Sequence, residues 1–161
     1  MGFMEMKQDI YDTVRRLQKA DSKDQERKSF CDKYIPLLEL IDQDEDLKEA
    51  CKKHSVYKDD DQHPALIRYL YDHFMHEAYD ADIVIRNYRD LVEENNSIDW
   101  VAEPTEEQLK ELDQKHVLAC IAWHFRRDHF SEGSLIADSI ANGYMLLMLK
   151  GLYRKKLRFT E

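Results

Sequence analysis

Apolar residues recur at intervals of three and four positions along most of this chain, which is the spacing of one face of an α-helix. At the N-terminus the spacing is carried by Met6, Ile10, Val14 and Leu17. It predicts an amphipathic helix that extends to about Lys19, with one apolar and one polar face.

A second and a third helix are predicted before residue 54. Ser22 and Gln25 have the spacing of a capping box, so a new helix is expected to begin there. Pro36 lies inside that helix, and because proline removes a backbone hydrogen bond and clashes with the preceding turn, we expect a kink or a break near residues 31–34. A short helix around residues 47–51 follows.

The middle of the chain begins with the most loop-like segment, residues 54–63. Pro64 suits the start of a helix, and the apolar spacing after it predicts a helix to about Ala78. Residues 83–92 include an Ile-Val-Ile run that is compatible with a strand. Because the helical spacing continues to Leu91, we predict a helix there.

After a linker at residues 97–104, Thr105 and Gln108 form a second capping-box pattern and begin a helix whose apolar stripe continues to Phe125. Ser131 can cap a short helix that ends at a left-handed turn, Asn142-Gly143.

The last predicted helix, residues 144–152, is apolar nearly all round. Such a helix is either the buried centre of a bundle or one face of a homodimer, and we favour burial.

These elements predict an all-α fold, a helical bundle of six to eight helices with no substantial sheet. We expect one helical domain over residues 1–161. Residues 64–152 would form its core, and residues 1–60 would be an added N-terminal helical layer.

The length of 161 residues changes this picture little, because a chain of this size can bury roughly 70% of its unfolded surface without disulfides or metals. No apolar run approaches the roughly 18 residues of a membrane-spanning helix, and the acidic N-terminus does not resemble a signal peptide. We therefore expect a cytoplasmic protein. Cys31, Cys51 and Cys120 show no C-x-x-C spacing, so we expect reduced, packed thiols.

The four glycines exclude several common sites, because none of them forms the closely spaced patterns of a dinucleotide-binding turn, a P-loop or a nucleophile elbow. The net charge of −9 is uneven: residues 64–116 contain 5 basic and 13 acidic side chains, whereas residues 117–161 contain 7 basic and 4 acidic ones. The acidic middle disfavours binding to nucleic acid.

A family pattern occupies roughly the C-terminal third. Arg127, Phe130 and Gly133 are followed by Asn142-Gly143 and a leucine-rich helix, and an Asp99-Trp100 pair precedes them. This pattern is similar to an uncharacterised family of small bacterial proteins, known only as domain of unknown function number 6508. The resemblance implies no activity, cofactor or site residue, and we expect the first 60 residues to depart from it.

One helical face has the composition of a metal site, since imidazoles and carboxylates are good ligands for divalent cations. Positions i, i+3, i+4 and i+7 of the helix after Pro64 are His73, His76, Glu77 and Asp80. A second helix would have to complete the site, with His124 and Asp128 as donors. The alternative is a polar outer face with local hydrogen bonds.

A second candidate is an anion pocket at Arg127, Ser131 and Gly133, because a guanidinium beside free backbone N–H groups favours phosphate or carboxylate. The alternative is that Arg127 pairs with an acid of the negative middle region and that Ser131 only caps a helix.

The sequence therefore favours a non-enzymatic protein-interaction module of bacterial or mobile-element origin, without a cofactor. Its partner would be an unidentified protein, with no nucleic acid and no membrane, and a homodimer is an open alternative. The second hypothesis is a hydrolase that uses one or two divalent metal ions on the His/Glu/Asp face.

Overall fold

The computed structural model of the protein describes three ranges, residues 3–53, 64–128 and 134–159. Within them the side chains described are those outside residues 3–7, 20–21, 128, 134 and 155–159.

Eight α-helices occupy the described ranges, and no strand occurs there. In chain order they are α1 (Phe3–Asp42), α2 (Glu45–Lys53), α3 (Ala65–Asp80), α4 (Tyr88–Glu94), α5 (Glu106–Lys110), α6 (Gln114–Asp128), α7 (Ser134–Ala141) and α8 (Tyr144–Phe159). A short 3₁₀ turn, Ser97–Asp99, lies between α4 and α5. The predicted all-α fold is confirmed.

Helix α1 is continuous over 40 residues, so the predicted end near Lys19 and the predicted break near residues 31–34 are wrong. Ser22 and Gln25 are exposed positions in the middle of this helix, where polar side chains are tolerated. Pro36 also lies inside the helix on its exposed side. Buried side chains before and after this proline pack in the core, and that packing offsets the hydrogen bond that proline removes.

The segment between α3 and α4 is a turn rather than the predicted helix, since α4 begins only at Tyr88. Asp82 has a positive φ of 58°, which reverses the chain and lets Ile83 enter the core. Arg27 of α1 stabilises this turn through two hydrogen bonds. Its Nε donates to the Asp82 carbonyl oxygen at 2.9 Å, and its Nη2 donates to Asp82 Oδ2 at 3.1 Å.

The predicted helix from Thr105 to Phe125 is divided in two, α5 and α6. The capping box is confirmed, because Thr105 Oγ1 accepts from the Gln108 backbone N–H and Gln108 Oε1 accepts from that of Thr105. Asp113 begins the second piece, with Oδ1 accepting the backbone N–H of His116 at 3.0 Å. That Asx cap explains the break.

Three aromatic rings from three helices meet in the core. Tyr34 of α1 lies edge-on to Phe74 of α3, with ring centroids 5.0 Å apart, and Phe74 stacks on Phe125 of α6 at 5.6 Å. Buried side chains of α1 and α2 belong to the same core as those of residues 67–152.

Helix α8 is a central element, since Met145, Met148 and Leu149 are fully buried. The predicted burial of this helix is thus confirmed, as is the left-handed turn before it, where Gly143 has a φ of +85°. No single helix in the described ranges has the length and apolar character needed to cross a membrane. Helices α7 and α8 meet that requirement only as a pair, which is bent by 75°.

Candidate functional site

The predicted metal face on α3 points mostly to solvent. His73, His76 and Asp80 are exposed, and His76 Nε2 lies 3.8 Å from Asp80 Oδ2. The His73 ring packs on Tyr69, with centroids 4.5 Å apart. These contacts are those of a solvated helix face with local interactions.

Glu77, the fourth predicted ligand, joins two helices. Its Oε1 lies 2.6 Å from Lys33 Nζ of α1. The hydrogen bond with Glu77, followed by one with Tyr69, raises the pKa of Lys33. The Glu77 carboxylate therefore already has a cationic partner inside the protein.

His124, predicted as a donor from a second helix, is a core residue of α6. It is fully buried, and its Nε2 donates to the carbonyl oxygen of Val101 at 2.7 Å. Burial lowers the pKa of His124 to about 4, so the imidazole is neutral at pH 7. Its Nδ1 is buried without a hydrogen-bond partner.

The side chain of Asp128 lies outside the described residues. Among the residues that are described, no three His, Cys, Asp or Glu side chains come together in a way that could hold a metal ion. The metal site therefore stays a prediction from sequence spacing.

The predicted anion-binding residue Arg127 borders a cavity of about 450 Å³ between α4 and α6. Its Cζ lies 5.1 Å from the centroid of the Trp123 ring, and Arg89, across the cavity, is 5.9 Å from that of Tyr88. Glu93 adds a negative charge to the lining. The lining thus contains two guanidinium groups, which are suitable partners for a carboxylate or phosphate.

Two of the three predicted anion-binding residues, Ser131 and Gly133, lie outside the described residues, so this site also stays a prediction. Arg89 was not predictable as a site residue, because it belongs to no motif or ligand-like spacing in the sequence. Only the packing of α4 on α6 brings it to the cavity of Arg127.

The N-terminal half of α1 carries a different kind of surface. Every position from 8 to 19 is exposed, and Ile10, Val14 and Leu17 expose 63%, 45% and 60% of their residue surface. We call these three residues the N-terminal stripe. Tyr11, beside them, is 59% exposed.

The described polar contacts between α1 and the rest of the bundle begin at Lys23, whose Nζ lies 3.2 Å from Asp82 Oδ2. Asp24 accepts a hydrogen bond from Gln114 of α6 at 3.2 Å. Because α1 is 40 residues long and rises about 1.5 Å per residue, it spans about 60 Å. The half with the stripe therefore extends beyond the bundle.

Charge is ordered along the same half. Asp9 and Asp12 precede Arg15, Arg16 and Lys19, so the acidic side chains come first and the basic ones second. All five are exposed. The segment thus has an apolar stripe on one face, and the charged side chains on its other faces change sign near Val14.

A comparison with protein-family models shows which family the chain belongs to. The model of a family of unknown function, DUF6508, matches residues 32–156, which is more than half of the chain. The chain belongs to the DUF6508 family. No curated protein and no solved structure matches it.

The DUF6508 match corrects the extent of the resemblance drawn from the sequence. The family identity is confirmed, but the match covers residues 32–42 of α1 and all of α2 as well as the C-terminal third. The expectation that residues 1–60 depart from the family is therefore too broad. The N-terminal stripe lies before the first matched residue.

Proposed function

We propose that this DUF6508 protein is a protein-interaction module that pairs the N-terminal half of α1 with a helix of another polypeptide chain. The observation that carries the proposal is the exposure of Ile10, Val14 and Leu17 on one face of a helix that extends beyond the bundle. Apolar residues at this spacing are the usual anchors of helix-to-helix recognition.

The energetics support a partner. Fully burying one Leu, Ile or Val side chain contributes roughly 1.5–3 kcal/mol. A helical segment of about 12–15 residues is only marginally stable in water without packing. A single partner would therefore both bury the N-terminal stripe and stabilise the helical conformation of residues 8–19.

The remaining expectations are part of the proposal. We infer a cytoplasmic, bacterial protein that acts on another protein rather than on nucleic acid, in keeping with its net charge of −9. The alternative, a divalent-metal hydrolase, stays a prediction, and native mass spectrometry before and after a chelator tests it.

The test of the proposed function uses a matched pair of leucines on α1. Leu17 is 60% exposed in the free half, and Leu40 is 54% exposed in the packed half. Affinity-tagged protein, in the lysate of its source cells, should retain a polypeptide that Leu40→Asp retains equally and Leu17→Asp loses by at least about tenfold. Recovery of no polypeptide whose binding depends on Leu17 would contradict the proposal.

A further inference from the structure

We propose that the cavity between α4 and α6 binds a small organic carboxylate, whose negative charge is held by Arg89 and Arg127 and whose apolar group contacts the rest of the lining. This inference is independent of the proposed function, because none of the described residues that border the cavity belongs to α1. It goes beyond the anion pocket expected from the sequence, since it pairs Arg127 with a residue of another helix and specifies an apolar group on the ligand.

The size of the cavity suits a small molecule. Its volume is about 450 Å³, within the range of roughly 300–1,000 Å³ that is usual for ligand-binding pockets. It lies where α4 packs on α6, and the 3₁₀ turn after α4 contributes Ile98 to its lining. The cavity is therefore large enough for a substituted benzene ring.

Aromatic rings of the same lining position both guanidinium groups. Arg127 lies over the ring of Trp123, one turn earlier on α6, and Arg89 lies over that of Tyr88. Arg89 Nε also donates to the Tyr88 hydroxyl oxygen at 3.3 Å. Stacking on a ring uses the face of a guanidinium, whereas its N–H donors lie in the plane and match the geometry of a carboxylate. Arginines positioned in this way lose less side-chain entropy when they bind an anion.

The charge of the lining favours a ligand with one negative charge. Two arginines and Glu93 border the cavity, so its lining is net positive in a chain whose net charge is −9. The Glu93 carboxylate opposes a second negative charge on the ligand. A carboxylate therefore suits this lining better than a phosphate monoester, which carries about 1.5–2 negative charges at pH 7.

The remaining lining residues favour an apolar group on the ligand. Tyr88 and Val92 are buried side chains of α4, and Trp123 is half-buried. Ile98 is 54% exposed at the same cavity. Apolar surface of this kind contributes binding free energy when a ligand removes it from water. An aromatic ring beside Trp123 and Ile98 would cover that surface.

NMR titration of the full chain with benzoate, at pH 7 and constant ionic strength, tests the inference. The arginine Nε–H and tryptophan indole N–H resonances, assigned by substitution, report the binding. Benzoate should bind saturably with a dissociation constant in the millimolar range or below. Acetate, which lacks the ring, should bind at least about tenfold more weakly. Benzylamine, which has the same ring and a positive charge at pH 7, should not bind.

Two pairs of arginines provide matched variants. Arg89→Gln and Arg127→Gln should each raise the dissociation constant of benzoate at least about tenfold, because each removes a charge-assisted hydrogen bond. Arg86→Gln and Arg126→Gln change arginines outside the lining and should each alter it by less than about twofold. All four positions are exposed, so the variants should keep the far-UV circular dichroism of wild type.

Three results would overturn the inference. The first is a set of shifts that stay linear with benzoate concentration beyond the millimolar range. The second is binding of acetate or benzylamine as tight as that of benzoate. The third is equal weakening by all four arginine substitutions. The proposed function fails separately, through the Leu17→Asp experiment, since Leu17 lies outside this cavity and its substitution should leave benzoate binding unchanged.

Discussion

The two halves of α1 have the same apolar spacing and different surroundings. In the second half Phe30, Tyr34, Leu38 and Ile41 are buried, and α1 packs there on α2, α3, α7 and α8. In the first half the N-terminal stripe is exposed. One uninterrupted helix thus has an apolar face that is buried in the bundle over its second half and exposed to solvent over its first half.

Two ion pairs lie at the point along α1 where the exposed half ends and the packed half begins. Lys23 and Arg27 both lie against Asp82, at 3.2 Å and 3.1 Å, at the turn that ends α3. From this point on, α1 has neighbours on its apolar side. Helical spacing therefore identifies an apolar face, whereas the presence of a neighbouring element determines whether that face becomes core or interface.

The largest effect should separate two leucines of the same helix. Leu38→Ala removes a side chain that is 1% exposed and should lower the free energy of unfolding by about 2–5 kcal/mol. Leu17→Ala should change it by less than about 0.5 kcal/mol. Urea denaturation at a protein concentration low enough for monomer measures both, and equal losses would show that both halves are packed.

The next effect belongs to the bundle alone and depends on pH. The pKa of His124 is about 4 in the folded chain, below the 6.5 of an ordinary histidine. The unfolded chain therefore binds the proton more tightly, and stability is complete above about pH 6.5 and is lost as the pH falls toward 4. Between pH 7.5 and pH 5 this residue should cost about 2 kcal/mol of unfolding free energy.

The control for this effect is His124→Gln, which keeps an N–H donor for the Val101 carbonyl and does not titrate. Urea denaturation at both pH values should give a dependence smaller by about 2 kcal/mol in the variant. All ionisable groups other than residue 124 are common to both proteins, so their contributions cancel in the comparison. An unchanged dependence would mean that His124 is not the buried neutral group described.

A smaller effect should distinguish two arginines across the boundary. Arg27→Ala removes two hydrogen bonds to Asp82 and should cost about 1–2 kcal/mol of unfolding free energy. Arg16→Ala, in the free half, should leave monomer stability within about 0.5 kcal/mol. Thermal or urea unfolding of both variants measures these losses. A similar loss of unfolding free energy from Arg27→Ala and Arg16→Ala would contradict the division of α1 into a packed half and a free half.

Much of the fold follows from local sequence. The capping box at Thr105 and the left-handed turn at Gly143 are short-range features, and both were predictable. The turn at Asp82 was not, because it depends on Arg27, 55 positions away in the chain. The break before α6 did have a local signal, because Asp113 is a suitable helix-capping residue. The apolar spacing continues across residue 113, however, and so predicted one uninterrupted helix.

The candidate sites were less predictable for the same reason. His124 has the residue type of a metal ligand, and only tertiary packing identifies it as a buried donor to Val101. The N-terminal stripe was predictable as an apolar face. Its exposure was not, because that depends on which elements reach it.

Reaction of single introduced cysteines with a thiol reagent decides whether the two halves of α1 differ as described, since the three native thiols are buried and burial raises the pKa of Cys51 and Cys120 to about 12. Leu17 is 60% exposed and Leu38 is 1% exposed. We therefore expect Leu17→Cys to react in the folded protein as fast as an exposed thiol, and Leu38→Cys to react only when the bundle opens. Equal rates at the two positions would contradict the division of α1 into a packed half and a free half.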